Sequence, residues 1–297
     1  MAAMPTLSIA YTPDSDDAFY YDALETGKLS FPCFKPAFHR RSMIDLNRAA
    51  LETKYDVTAI SSVIYPQIAR NYAILSVGTS VGRGYGPVLV TKNPNIRTDL
   101  AGCKVGVPGI PTTGWFLLQS FFPKAIPIEL PFDGIAEMVA DETLDAGVMI
   151  HEELLYYPQM GLGCLMDLGA EWCSRQGLPL PVGLNVIRRG LGKQEMERIC
   201  QTLRQSLEWG FANREEVLGR VSRMGRGTEG QCTRQFVSMF ANSDSQMLPS
   251  DVRSALRVLF CQLSDLGFAD MVPQMDIIEG QPMANSPPHS IKTLASA

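Results

Sequence analysis

The sequence predicts a two-lobed α/β protein that closes a cleft around a small molecule, and three observations carry that expectation. Short apolar runs alternate with amphipathic stretches up to about residue 90 and again over residues 104–150, the pattern of repeated β-α-β units. Two extended apolar stretches, Val88–Lys92 and Leu184–Arg188, bracket the second series and suit crossings between lobes. A length of 297 residues is generous for one core and comfortable for two. Lobe 1 is therefore expected at residues 1–90 and 187–280, and lobe 2 as an insert at 91–186. Residues 281–297, rich in Pro, Ser and Ala, read as a loose tail.

Each element has a local reason. Leu7–Thr12 is an apolar run stopped by Pro13, and the helix after it, Asp16–Glu25, carries Phe19, Tyr20, Ala23 and Leu24 at helical spacing before Gly27. Phe34–Arg40 reads as a second strand, and Ser42 is placed to cap a helix bearing Ile44, Leu46, Ala49, Ala50 and Leu51. Asp56–Ser61 is a third strand, followed by a helix carrying Val63, Ile64, Ile68 and Ala69. The second series runs through strand Lys104–Pro108, helix Thr113–Phe122, strand Pro127–Leu130, helix Asp133–Asp141 and strand Ala146–Ile150. From Lys193 to Leu266 the pattern is helical, with breaks at Gly225–Gly230 and Asn242–Leu248. Such β-α-β repetition implies a mostly parallel sheet with helices on both faces.

Composition narrows the function. With 45% hydrophobic and 19% charged residues, the chain can bury a full core and is not expected to be disordered. A net charge of −5 gives no general attraction to nucleic acid or to an anionic membrane, so neither is an expected partner. An anionic ligand would need a local site. The seven cysteines are scattered, with no C-x-x-C pair, which fits a reducing compartment. No basic leader opens the chain and no stretch nears the roughly 20 apolar residues of a membrane span, so a cytoplasmic location is expected.

Five segments carry chemistry. His151 directly follows the apolar strand ending at Ile150, and the carboxyl end of such a strand faces the ligand crevice of α/β proteins. Its imidazole can accept a proton near neutral pH; the plainer alternative is a histidine that hydrogen-bonds a strand end. His151-Glu152-Glu153-Leu154-Leu155 lacks the second histidine of a zinc motif, and no metal site is expected. Thr112-Thr113-Gly114 opens an apolar helix whose free N–H groups suit a carboxylate or phosphate, or one threonine simply caps it; Ser61-Ser62 repeats the arrangement after the third strand. Asp14-Ser15-Asp16-Asp17 lacks calcium-loop spacing, and capping is the favoured reading of its acids. Gly82-Arg83-Gly84-Tyr85-Gly86-Pro87 leads into a strand rather than a helix, so it reads as an approach to the hinge, with Arg83 in reach of an anion.

Taken in order, these segments resemble the menaquinone-biosynthesis family that contains 1,4-dihydroxy-6-naphthoate synthase and chorismate dehydratase. The likeness spans about residues 7–190 and is strongest in Gly82–Pro87, Thr112–Leu118 and Ile150-His151-Glu152, continuing in Tyr157-Pro158, Asp167-Leu168-Gly169 and Gly177–Pro181. It implies a two-lobed, periplasmic-binding-protein-like (type II) fold with a hinge and an interlobe cleft. It also implies a carbon–carbon lyase that releases 1,4-dihydroxy-6-naphthoate from cyclic dehypoxanthinyl futalosine, a small carboxylate substrate. The resemblance puts the general base at His151 and substrate contacts at Ala59, Ile60, Ser61, Thr112, Thr113 and Gly114. Asp16, Asp17 and Arg83 stand as further candidate contacts. No metal or other cofactor is implied, and a homodimer is compatible although no interface is legible. The chain departs from the family's Ser-Pro-Cys-Pro-Asn-Asp-Thr-Phe opening, having Thr12-Pro13-Asp14-Ser15-Asp16-Asp17-Ala18-Phe19, and has Ala59 where a lysine can stand. A chorismate dehydratase-like paralogue and a non-catalytic cytoplasmic binding protein for a small aromatic or carboxylic acid therefore stay open as alternatives.

Overall fold

The structure, a computed structural model, describes residues 4–280 other than 94, 97 and 225–229. The tail expected at 281–297 and the helix break expected at Gly225–Gly230 lie outside the described residues, Gly230 apart. The first sheet collects β1 (Thr6–Tyr11), β2 (Lys35–Arg40), β3 (Val57–Ser61), β4 (Tyr72–Leu75) and β5 (Ser80–Gly82). The second collects β6 (Val88–Thr91), β7 (Lys104–Val107), β8 (Ile126–Glu129), β9 (Ala146–Met149) and β10 (Gly163–Asp167). The chain then returns to the first sheet through β11 (Leu180–Arg188) and later adds β12 (Ile277–Ile278) to it. The strand orders are β12-β4-β11-β3-β1-β2, with β5 also paired to β11, and β10-β6-β9-β7-β8.

Both sheets are mixed rather than mostly parallel. β1 pairs in parallel with β2 and β3, and β7 with β8 and β9, as the β-α-β pattern requires. The strands next to the crossings break the pattern: β11 runs antiparallel to β3, β4 and β5, and β6 runs antiparallel to β9 and β10. A chain that leaves one sheet and re-enters it from the other lobe arrives in the opposite direction.

β3 and β9 are buried at every position, which accounts for their lack of apolar–polar alternation. One apolar cluster runs continuously from Ile60 and Tyr65 in the first lobe through Phe116 and Trp172 to Phe260 in the C-terminal helix Ser250–Asp265. Two further clusters cover the remaining faces, one around Tyr11, Phe19 and Leu207, the other around Val90, Ile135 and Phe236. Where the chain passes between lobes, Gly86 and Gly169 meet backbone to backbone. A Cβ on Gly169 would lie 2.5 Å from Gly86 Cα, so only glycine allows that approach. No described helix is long and apolar enough to cross a membrane.

The lobes are closed on each other. Asn47 Nδ2 donates to Pro111 O at 3.0 Å, and Arg48 pairs with Glu129 at 2.5 Å across the cleft.

Candidate functional site

Four β-to-α turns, all at strand carboxyl ends, converge on one cavity of about 90 Å³. Thr12, Asp14, Asp16 and Asp17 come from the turn after β1, and Ser61 from the end of β3. Thr112, Thr113 and Gly114 come from the turn after β7, while Ile150 and His151 follow β9. Phe236 and Phe240, at the end of helix Gly230–Phe240, close an apolar side.

His151 sits at the cavity wall with its side chain 11% exposed, and its backbone takes a left-handed φ of 55°. Histidine tolerates that region better than most residues, yet it is uncommon and tends to occur where a site is held in place. The imidazole Nδ1 lies 2.7 Å from Asp14 Oδ2, and Asp14 is 1% exposed. The Phe132 ring meets the imidazole edge-on, with centroids 4.9 Å apart.

The acids of the first turn do different work from the capping expected of them. Asp14 is the N-cap residue of helix Ser15–Glu25 and its carbonyl accepts from Ala18 N at 2.9 Å, but its carboxylate makes no capping bond. Asp17 Oδ2 instead accepts from Thr12 N at 2.9 Å and Thr12 Oγ1 at 2.8 Å, bracing the turn. Asp16 Oδ2 accepts from Ser80 Oγ at 3.3 Å. Burial pushes the Asp16 carboxyl well above the usual range, helped by the charges of Asp17, Asp14 and Glu152 and opposed by His151. Asp17 is pushed up to about 6 by burial, against the lowering effect of its Thr12 bonds. Next to Asp14, Ser15 donates from N at 3.2 Å and from Oγ at 2.5 Å to Glu152 Oε1.

The second turn is neutral. Thr112 caps helix Thr113–Phe121, accepting from Trp115 N at 3.3 Å and donating to Gly109 O at 2.9 Å. Thr113 Oγ1 donates to Val182 O on β11 at 2.7 Å. Both hydroxyls are thus engaged, and the first N–H groups of the helix are what this turn can offer an anion. At Gly114 a Cβ would lie 3.0 Å from Val148 Cγ1, so glycine seats the helix start closely over β9. Ser61 is fixed by Asn47, which accepts from Ser61 N at 2.9 Å and donates to Ser61 Oγ at 3.0 Å.

Of the expected contacts, His151, Ser61, Thr112, Thr113, Gly114, Asp16 and Asp17 line the cavity, whereas Ala59, Ile60 and Arg83 do not. Ala59 and Ile60 are buried in apolar clusters on opposite faces of β3. Arg83 is clamped by Asp244 at 2.7 and 2.8 Å and by Asp251 at 2.8 Å, and these two acids satisfy its charge away from the cleft. Sequence reasoning missed the Asp14–His151 contact, the Ser15–Glu152 contact and the two phenylalanines. Among the described lining residues there is no lysine or arginine, and no described group of three or more His, Cys, Asp or Glu is placed to hold a metal ion.

Over residues 7–265 the chain matches the family model described as menaquinone biosynthesis. It is 32% identical over 272 residues to 1,4-dihydroxy-6-naphtoate synthase of Thermus thermophilus, covering 91% of this chain and 98% of that one. To the enzyme of the same name from Streptomyces coelicolor it is 29% identical over 270 residues, covering 88% and 94%. A crystal structure from Archaeoglobus fulgidus superimposes with a TM-score of 0.85 at 36% identity, covering 89% of this chain and 98% of that chain. The periplasmic aliphatic sulphonate binding protein of Escherichia coli gives a TM-score of 0.67 at 11% identity over 98% and 99%, a likeness of fold alone: the fold is periplasmic-binding-protein-like.

Proposed function

The chain belongs to the menaquinone biosynthesis family, and from that premise we propose that it is a carbon–carbon lyase acting on cyclic dehypoxanthinyl futalosine to give 1,4-dihydroxy-6-naphthoate in the cytoplasm. The observation that carries the reading is an imidazole on the wall of an interlobe cavity, with Nδ1 2.7 Å from a buried carboxylate. In that environment His151 acts as the general base, removing the substrate proton whose loss starts bond cleavage. With no lysine or arginine among the described lining residues, the substrate carboxylate is met by the N–H groups and dipole of helix Thr113–Phe121, alongside Ser61. Closure of the lobes excludes water and brings the base to its substrate. The names of the two curated relatives favour this reaction over chorismate dehydration.

Purified protein is incubated with cyclic dehypoxanthinyl futalosine and, separately, with chorismate. Release of dihydroxynaphthoate is expected. Dehydration of chorismate, or ligand-induced stabilisation with no turnover of either compound, would replace the reading by a dehydratase or a binding protein. His151→Ala is expected to lower kcat by about 10²- to 10⁴-fold, the usual worth of a positioned base, while ligand still raises Tm. Full activity in that variant removes His151 from the mechanism.

A further inference from the structure

We infer that Asp14 is a positioning residue for His151, delivered to the imidazole from the opposite lobe, so that the base is complete only when the cleft is shut. The inference rests on the proposed use of His151 as base. Asp14 ends the turn after β1 in the first sheet, and His151 follows β9 in the second. Their 2.7 Å contact therefore crosses the cleft, as does the neighbouring pair in which Ser15 donates to Glu152. Consecutive residues of one turn thus engage consecutive residues of the other, 14 with 151 and 15 with 152.

The placement of the Asp14 carboxylate is informative. An aspartate at an N-cap ordinarily turns its side chain onto the N–H groups of its own helix, worth about 1 kcal/mol. Asp14 has N-cap backbone angles, φ −71° and ψ 156°, and forgoes that bond. Its Oδ2 faces a ring nitrogen whose own backbone is held at a left-handed φ of 55° and whose ring is braced edge-on by Phe132. The contact places the proton of the neutral ring on Nδ1 and the lone pair on Nε2. When Nε2 takes a proton from substrate, the imidazolium that forms stands beside an anion 1% exposed to solvent. Asp14 meets the ring at Nδ1 and takes no proton from substrate, so it acts only through His151.

Two variants test this. Asp14→Asn keeps the shape without the charge and is expected to lower kcat on cyclic dehypoxanthinyl futalosine about tenfold or more. Asp14→Ala, which also removes the acceptor, is expected to lower it about 100-fold or more, with KM within about threefold of wild type in both. A purely structural lesion would not produce that split. The second readout needs no turnover: ¹⁵N spectra of histidine-labelled protein, at a pH where the ring is neutral, with His151 assigned by its loss in His151→Ala. Wild type is expected to hold the proton on Nδ1, and Asp14→Ala to move it substantially to Nε2. An unchanged His151 tautomer in Asp14→Ala, or kcat within threefold of wild type in both variants, overturns the inference. If wild type turns over no substrate, the proposed function fails, and the tautomer alone then decides the role of Asp14.

Discussion

The turn after β1 and the turn after β7 face one cavity from opposite lobes, and they treat buried polar groups in opposite ways. The first holds Asp14, Asp16 and Asp17, none more than 7% exposed. Each meets the cost of burial differently: Asp14 lies against an imidazole, Asp17 accepts two hydrogen bonds from Thr12, and Asp16 retains its proton well above the usual range. The second turn contains no ionisable group between Pro108 and Gly114, and its threonine hydroxyls donate to backbone carbonyls. Titratable groups are thus gathered where the β1 turn meets the end of β9. The β7 turn offers a fixed dipole whose strength does not depend on pH. An asymmetric substrate, with a carboxylate at one end and a labile proton at the other, matches that division.

The largest effect that separates the two turns is the pH dependence of stability. Asp17 is pushed up to about 6 in the folded protein by burial, while the unfolded chain keeps the ordinary carboxylate value. Between pH 4 and 6 the folded state therefore holds more protons than the unfolded state. Stability falls as pH rises through that window and levels off above it. The share of Asp17 is on the order of 3 kcal/mol, and Asp16 acts in the same direction. Asp17→Asn keeps an oxygen to accept both Thr12 bonds and removes the charge. Its stability loss between pH 4 and 7, measured by denaturant unfolding, is expected to be smaller than that of wild type by about that amount. Equal losses in the two proteins would mean that the Asp17 carboxyl titrates alike in the folded and the unfolded chain, and that any excess pH sensitivity of the β1 turn comes from Asp16.

The contacts across the cleft give the next largest effect. Ser15 donates twice to Glu152 Oε1, and Glu152 is 3% exposed. Removing the hydroxyl by Ser15→Ala leaves a buried carboxylate with one donor fewer in the closed form, a loss of about 1.5 kcal/mol. Affinity for dihydroxynaphthoate by titration calorimetry is expected to weaken about tenfold, because closure must be completed without that bond. Unchanged affinity would show that the lobes close independently of the β1 turn.

How much of this was legible in the sequence follows from the range of the interactions. Most expected strand ends, the Ser42 cap and the start of helix Thr113–Phe121 are local patterns, and the structure has them within one or two residues, whereas the return strand expected at Leu184 begins at Leu180. His151 stood out because it follows an apolar run. The Ser15–Glu152 bond joins residues 137 apart, and no local signal marks either partner. Asp14 looked like a cap because its backbone is one; only the other lobe shows where its carboxylate goes. One departure from the expected cavity lining was foreseeable. Side chains alternate along a strand, so Ala59, Ile60 and Ser61 cannot all face one cavity. Ile60 points to the opposite face, and Ala59 shares the face of Ser61 but lies about 7 Å further from the strand end. Arg83 is a different case: Asp244 and Asp251 lie more than 150 positions along the chain, out of reach of any sequence pattern.

The smallest expected effect concerns the neutral turn itself. Thr112 Oγ1 bridges Gly109 O and Trp115 N, closing the turn onto the first coil of the helix. Thr112→Val keeps the volume and deletes both bonds, which for an N-cap costs about 1 kcal/mol. Because no ionisable group lies in this turn, the loss is expected to be the same at pH 4 and at pH 8, in contrast to Asp17→Asn, whose effect changes across that window. The variant also loosens the N–H groups proposed to hold the substrate carboxylate, so KM should rise while kcat, which the proposed mechanism assigns to His151, changes little. Chemical unfolding at the two pH values checks the first expectation and steady-state kinetics the second. A pH-dependent loss in Thr112→Val would mean that the carboxyls of the β1 turn act on the β7 turn through the closed cavity, and that the two turns form one electrostatic unit rather than two.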